Sequence, residues 1–124
     1  MTLLLDTQVA IWWLVGSRRL GAQARILLAE SACVLSAASV WEVGIKHRLG
    51  KLSVAPAQFR DRMVAAGAEI LTVSDTHAIE TAALPRHHDD PFDRMLIAQA
   101  RVGKLRAVSA DKAWREYELD LVPI

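Results

Sequence analysis

Leu3-Leu4-Leu5-Asp6-Thr7-Gln8-Val9-Ala10-Ile11-Trp12-Trp13-Leu14-Val15 is the stretch that decides the fold. Three leucines in a row are too few for a helix and fit a strand buried on both faces. Asp6 ends that run, and Thr7–Val15 reads as a helix. The same alternation continues along the chain. Cys33–Leu35 ends at Ser36, Ile70–Val73 follows Gly67, Ala107–Val108 precedes Ser109, and Leu119–Val122 is a fifth short apolar run. Helical patterns lie between them: Gly21–Ser31, Ser39–Leu49 with Gly50 as a stop, Pro56–Ala66, Asp75–Leu84 closed by Pro85, Pro91–Val102 closed by Gly103, and a short Ala113–Tyr117. Strands alternating with helices predict an α/β fold. The expected form is three α/β/α layers around a central, mostly parallel sheet of four to five short strands.

Length and composition set the limits. The 124 residues fit one domain, 1–124. Apolar residues at 52% and charged residues at 23% exclude an intrinsically disordered chain. One cysteine, Cys33, excludes an intramolecular disulfide and a cysteine-based zinc site. The net charge of +1 hides an asymmetry: Ser17–Arg62 carries eight basic and three acidic residues, Asp75–Asp93 five acidic and one basic. The longest uncharged stretches, Thr7–Ser17 and Ser31–Trp41, have 11 residues each, where a membrane span needs about 20. The first residues lack the basic region of a secretory leader, so a cytoplasmic protein is expected.

In an open α/β sheet, ligands bind outside the carboxyl ends of the strands. That edge collects acids. Asp6 ends the first strand and Asp111 follows the fourth. Glu42 is placed in the first turn of the helix after the second strand, and Asp93 in the first turn of Pro91–Val102. Each acid also has a local explanation. Ser39-Val40-Trp41-Glu42 matches a capping box. Asp90-Pro91-Phe92-Asp93 offers an N-cap, a proline at N1 and an acid at N3. Asp6 and Asp111 each precede a helix. Capping contributes about 0.5–2 kcal/mol per site and requires no chemistry.

Two observations favour chemistry. Asp93 heads a stripe of Leu96, Ile97 and Ala100 that faces the core. Two carboxylates about 5 Å apart repel by roughly 3 kcal/mol at an effective dielectric of about 20. Four gathered in one place need a compensating cation or raised pKa values. Oxygen-only donors suit Mg²⁺ or Mn²⁺, and the chemistry that fits is a one- or two-metal phosphodiesterase with metal-activated water. Two alternatives stay open. An aspartyl-phosphate phosphatase would use Asp6 as nucleophile, although Gln8 stands where that chemistry wants a second acid. A non-catalytic, receiver-like α/β binding module would use the acids only as caps.

Together, Leu4-Leu5-Asp6-Thr7, Ser39-Val40-Trp41-Glu42-Val43, Asp90-Pro91-Phe92-Asp93-Arg94-Met95-Leu96-Ile97-Ala98-Gln99-Ala100 and Ser109-Ala110-Asp111 resemble the successive motifs of PIN-domain ribonucleases. They are most similar to VapC-type toxins of bacterial toxin–antitoxin pairs. The resemblance spans essentially the whole chain, and the Asp-Pro-Phe-Asp-Arg segment is its most specific part. It implies a PIN-like fold and a Mg²⁺- or Mn²⁺-dependent endoribonuclease acting on RNA. Asp6, Glu42 and Asp93 match the three core acids, Asp111 a fourth and less uniform one, and Ser109 a hydroxyl residue beside it. It also implies a homodimer and an antitoxin whose peptide enters the active-site groove. Gln8 departs from the histidine frequent at that position in related toxins.

Other residues carry weaker signals. Lys46 pairs with Glu42 at i,i+4 or contacts substrate phosphate. Arg94 anchors a phosphate or pairs with Asp90. Arg18, Arg19, Arg25, Lys46, Arg48 and Lys51 are candidates to line an RNA groove. His87 and His88 beside Asp89 and Asp90 suggest zinc, but no third and fourth ligand is evident. Of the adjacent Trp12 and Trp13, one is a candidate for a dimer contact.

Overall fold

The computed structural model describes residues 2–124. Strand β1 (Thr2–Leu5) is followed by helices α1 (Thr7–Val15) and α2 (Ala22–Glu30). Strand β2 (Ala32–Ser36) leads to α3 (Ala37–Arg48) and α4 (Pro56–Ala65). Strand β3 (Glu69–Leu71) leads to α5 (Asp75–Ala83) and α6 (Pro91–Gly103). Strand β4 (Arg106–Ser109), a 3₁₀ turn (Lys112–Glu116) and β5 (Leu121–Pro123) complete the chain. The five strands form one sheet in the order β3-β2-β1-β4-β5. Every pairing is parallel, because each strand is followed by a helical return that brings the chain back to the starting edge.

The leucines of β1 divide between two cores, as the two-residue period of a strand requires. Leu3 and Leu5 pack with Val9, Leu28, Val43, Phe59 and Met63 under α1 to α4. Leu4 points the other way, to Leu84, Leu96, Ile97 and Trp114. Helices therefore cover both faces of the sheet. A fully buried leucine contributes about 1.5–3 kcal/mol, so this strand is held from both sides.

The order of the strands positions the site. From β1 the chain adds β2 and β3 on one side, then crosses back to add β4 and β5 on the other. The carboxyl ends of β1 and β4, neighbours in the sheet, therefore face a crevice where the direction of winding reverses. Most helix boundaries fall within a residue of the expected ones, and two differences bear on the site or its helices. Helix α3 starts at Ala37 rather than Ser39, because the Ser36 hydroxyl accepts the Ala38 amide and caps it. Helix α6 includes Gly103, and it is Lys104 that takes the left-handed turn, at φ 52°.

Candidate active site

Asp6, Glu42, Asp93 and Asp111 all line one cavity of about 310 Å³ at this crevice. Asp6 leaves β1 directly and is only 6% exposed. Its Oδ1 accepts the Gln8 amide at 3.4 Å and caps α1. Its Oδ2 accepts the Ser109 hydroxyl at 2.7 Å. Ser109 Oγ in turn accepts the Asp111 amide at 3.0 Å, which ties the ends of β1 and β4 together.

Glu42 lies in the second turn of α3, not the first, because of the earlier helix start. It is no member of a capping box. Ser39 is inside the helix, and its Oγ accepts the Thr7 hydroxyl at 2.8 Å. Glu42 is 5% exposed. Its Oε2 accepts Lys46 Nζ at 2.8 Å, while Oε1 is buried with no hydrogen-bond partner among the described residues.

Asp93 stands at N3 of α6 as expected, but the capping is done by Asp90, whose Oδ1 accepts the Phe92 and Asp93 amides at 2.8 and 3.3 Å. Asp111 caps the 3₁₀ turn through Oδ1, which accepts the Ala113 amide at 2.9 Å. Capping thus occupies one oxygen each of Asp6 and Asp111. It explains neither Glu42 nor the Asp93 carboxylate.

The electrostatics are those of a pocket short of positive charge. Burial, then the charges of Asp6 and Asp90, push Asp93 up to about 7, with His88 opposing and Glu42 adding. Asp6 is also raised. Burial dominates there, outweighing the hydrogen bonds from Ser109 and the Gln8 amide, and Glu42 and Asp111 add to it. Lys46 is raised by its hydrogen bond to Glu42, against burial, and by the charges of Glu42, Asp90 and Asp93. An orphaned buried carboxylate oxygen costs on the order of 1–3 kcal/mol or more. Glu42 Oε1 among oxygen donors is the setting a hard divalent cation fits.

A model of the PIN domain family matches residues 3–119. The chain belongs to the PIN domain family. Solved structures similar to this PIN domain include a VapBC2 complex from Rickettsia felis bound to a promoter DNA fragment. It is 14% identical, with TM-score 0.73, covering 99% of this chain and 98% of that one. A DNA-bound VapBC complex from Salmonella typhimurium is 18% identical, with TM-score 0.70 and the same coverage. The FitAcB structure from Neisseria gonorrhoeae is 19% identical, with TM-score 0.65, covering 96% and 95%. At these identities the likeness concerns the fold. No curated protein matches.

Arg94 does not line the acid cavity, and among the described residues it makes no pair with Asp90. Its guanidinium donates to the carbonyls of Thr81, Leu84, Pro85 and His88 and to the Tyr117 hydroxyl, at 2.8–3.4 Å. Of the six basic candidates for a groove, Lys46 alone lines the acid cavity. Arg25 is committed to the Ser17 and Leu20 carbonyls. Trp12 and Trp13 pack against the first core, and the exposed tryptophan is Trp41, 66% exposed and edge-on to Phe92.

His88, read from the sequence only as a zinc candidate, has Asp93 and Asp111 as its partners. Its Nε2 lies 2.8 Å from Asp93 Oδ2 and 2.9 Å from Asp111 Oδ2. Among the described residues, these three are the one group of metal-capable side chains whose donor atoms lie within 4.8 Å of one another. Burial lowers the His88 pKa, but the hydrogen bond to Asp111 and the charges of Asp93, Asp111 and Asp90 raise it further, so the net direction is upward. The paired histidines before Asp89-Asp90 were the available signal. His87 instead packs edge-on against Tyr117.

Proposed function

We propose that this PIN domain is a Mg²⁺- or Mn²⁺-dependent endoribonuclease, the toxin of a toxin–antitoxin pair, and that residues 1–124 act as one domain. The observation that carries the activity is that four acids line one cavity at the sheet's switch point, with a buried oxygen of Glu42 left without a partner among the described residues. Asp6, Glu42 and Asp93 would hold the cation, with Asp111 completing a second metal or the water shell. When bound, such an ion neutralises phosphate charge and lowers the pKa of water, as in-line hydrolysis of a phosphodiester requires. The chain supplies the rest. Ser109 fixes the rotamer of Asp6 by donating to Oδ2. Glu42, whose unpaired oxygen is Oε1, would bind the ion or orient the attacking water and take its proton. Lys46 holds the other oxygen and places a positive charge in the wall facing the substrate.

Antitoxin partnership is supported by the solved relatives, which include a toxin–antitoxin complex from Klebsiella pneumoniae at 21% identity and TM-score 0.65. Homodimer formation is supported by large exposed apolar side chains, Trp41 at 66% and Ile79 at 70%. No described helix is long and apolar enough to cross a membrane. A cytoplasmic location is part of the same proposal.

The test is incubation of purified protein with total RNA in Mn²⁺ or in EDTA, with mapping of the cleaved ends. Cleavage that needs Mn²⁺ and disappears in both Asp6→Ala and Asp93→Ala is the expected result. Undiminished cleavage in either folded variant rejects the assignment. Neutralisation by the product of an adjacent short reading frame tests the toxin role.

A further inference from the structure

We propose that His88 is a positioning residue, which sets the carboxylates of Asp93 and Asp111 from outside the acid cavity and does not itself bind the metal. The proposal rests on the metal-dependent reading above. The ring's tautomer decides the role. The Asp90 amide donates to His88 Nδ1 at 3.1 Å, so that nitrogen presents its lone pair and the ring proton sits on Nε2. Nε2 donates to Asp111 Oδ2 at 2.9 Å and lies 2.8 Å from Asp93 Oδ2, so its polar N–H edge faces both carboxylates and is hydrogen-bonded to Asp111. A metal-binding histidine shows the opposite pattern. It turns a bare nitrogen to the ion and donates its other ring N–H to an oxygen.

Location points the same way. His88 does not line the acid cavity. It lines a neighbouring cavity of about 670 Å³ with Trp41, Phe92 and Met95, and reaches the two acids from that side. Asp93 belongs to α6, and Asp111 caps the turn after β4. Among the described residues, His88 is the single hydrogen-bond or ion-pair partner of either Oδ2. Outer donors of this kind hold carboxylate ligands in the orientation a cation needs, and their loss typically lowers metal affinity about 10–100-fold.

Mn²⁺ binding, read from the electron paramagnetic resonance of free and bound ion, tests this on the full chain and two variants. His88→Ala should bind Mn²⁺ about 10–100-fold more weakly than the parent. His88→Gln, which places an amide N–H near the former Nε2, should recover most of the loss. The bound Mn²⁺ of the parent should show no directly coordinated nitrogen in its pulsed spectrum. Equal affinity in parent and His88→Ala overturns the proposal. So does a His88→Gln as weak as His88→Ala, or a strong ¹⁴N coupling in the parent. A parent that binds no Mn²⁺ fails one step earlier and removes the metal-dependent reading itself. If His88→Ala does not fold, the parent spectrum and His88→Gln still decide.

Discussion

The two halves of the acid cavity are built differently. Asp6 and Glu42 come from elements that pack into the core, and both are nearly buried. Asp6 is fixed by Ser109 at the end of a neighbouring strand, and Glu42 by Lys46 one turn along its own helix. The Asp93 and Asp111 side chains are more open, at 15% and 39% exposure. They are bridged by His88, which sits on the irregular segment between α5 and α6. That segment is held by Arg94, through the carbonyls of Leu84, Pro85 and His88 and that of Thr81 in α5, and by the Tyr117 hydroxyl, which accepts the His87 amide at 3.1 Å. Sheet packing makes the first half, at a strand end and on a packed helix. Side-chain hydrogen bonds to a loop make the second. Substitutions remote from the acids should therefore disturb the second half while leaving the first intact.

The largest effect should strike both halves equally. Asp6→Asn and Asp93→Asn each remove a charged oxygen donor while keeping the volume. Each should lower Mn²⁺-dependent RNA cleavage by about 10²–10⁴-fold, several kcal/mol of transition-state stabilisation. Circular dichroism should show an unchanged fold. If Asp93→Asn costs less than tenfold while Asp6→Asn abolishes cleavage, the loop-built half is dispensable and the contrast becomes one of function as well as construction.

The next effect concerns stability and pH. Asp93 binds its proton up to about pH 7 in the folded state, against 3.8 for an ordinary aspartate. Between those values the folded chain holds a proton that the unfolded chain has released. Stability of the metal-free protein should therefore fall as pH rises from about 4 to 7, and level off above. Raised Asp6 contributes in the same direction. At pH 8 without metal, Asp93→Asn should be more stable than the parent, by about 1–3 kcal/mol, measured by urea unfolding. Mn²⁺ at about 100 times its dissociation constant should stabilise the parent by about 2.7 kcal/mol. Protons compete for Asp93, so Mn²⁺ affinity should fall as pH drops below 7. A metal-free stability that rises with pH over this window would contradict the crowding of acids.

How much of this was legible in the chain follows the same division. Leu3-Leu4-Leu5-Asp6 identified a buried strand and the acid at its end, because alternation and chain punctuation are local signals. Asp90-Pro91-Phe92-Asp93 was read residue by residue for the same reason. Glu42 was placed on the right helix but in the wrong turn. Ser36 and Ser39 are both acceptable caps, and only the packing of Ser39 against Thr7 chooses between them. His88 and Arg94 were not legible. Their partners are a carboxylate 23 residues away in one case and main-chain carbonyls in the other, and neither leaves a periodic trace.

Arg94 gives the smallest and most discriminating prediction. Arg94→Lys keeps the charge but cannot reach four carbonyls with a single ammonium group. The segment carrying His88 should loosen, and Mn²⁺ affinity should drop by about threefold to tenfold, less than the roughly 10–100-fold expected when such a partner is removed outright. Dependence of RNA binding on salt should stay the same, because no phosphate contact is lost. Lys46→Met supplies the contrast. It removes a positive charge from the cavity wall and should lower the salt slope by about one. A reduced slope in a neutral variant, Arg94→Gln, would instead put this side chain on the RNA. The loop-built half of the site would then be substrate-contacting surface as well as scaffold.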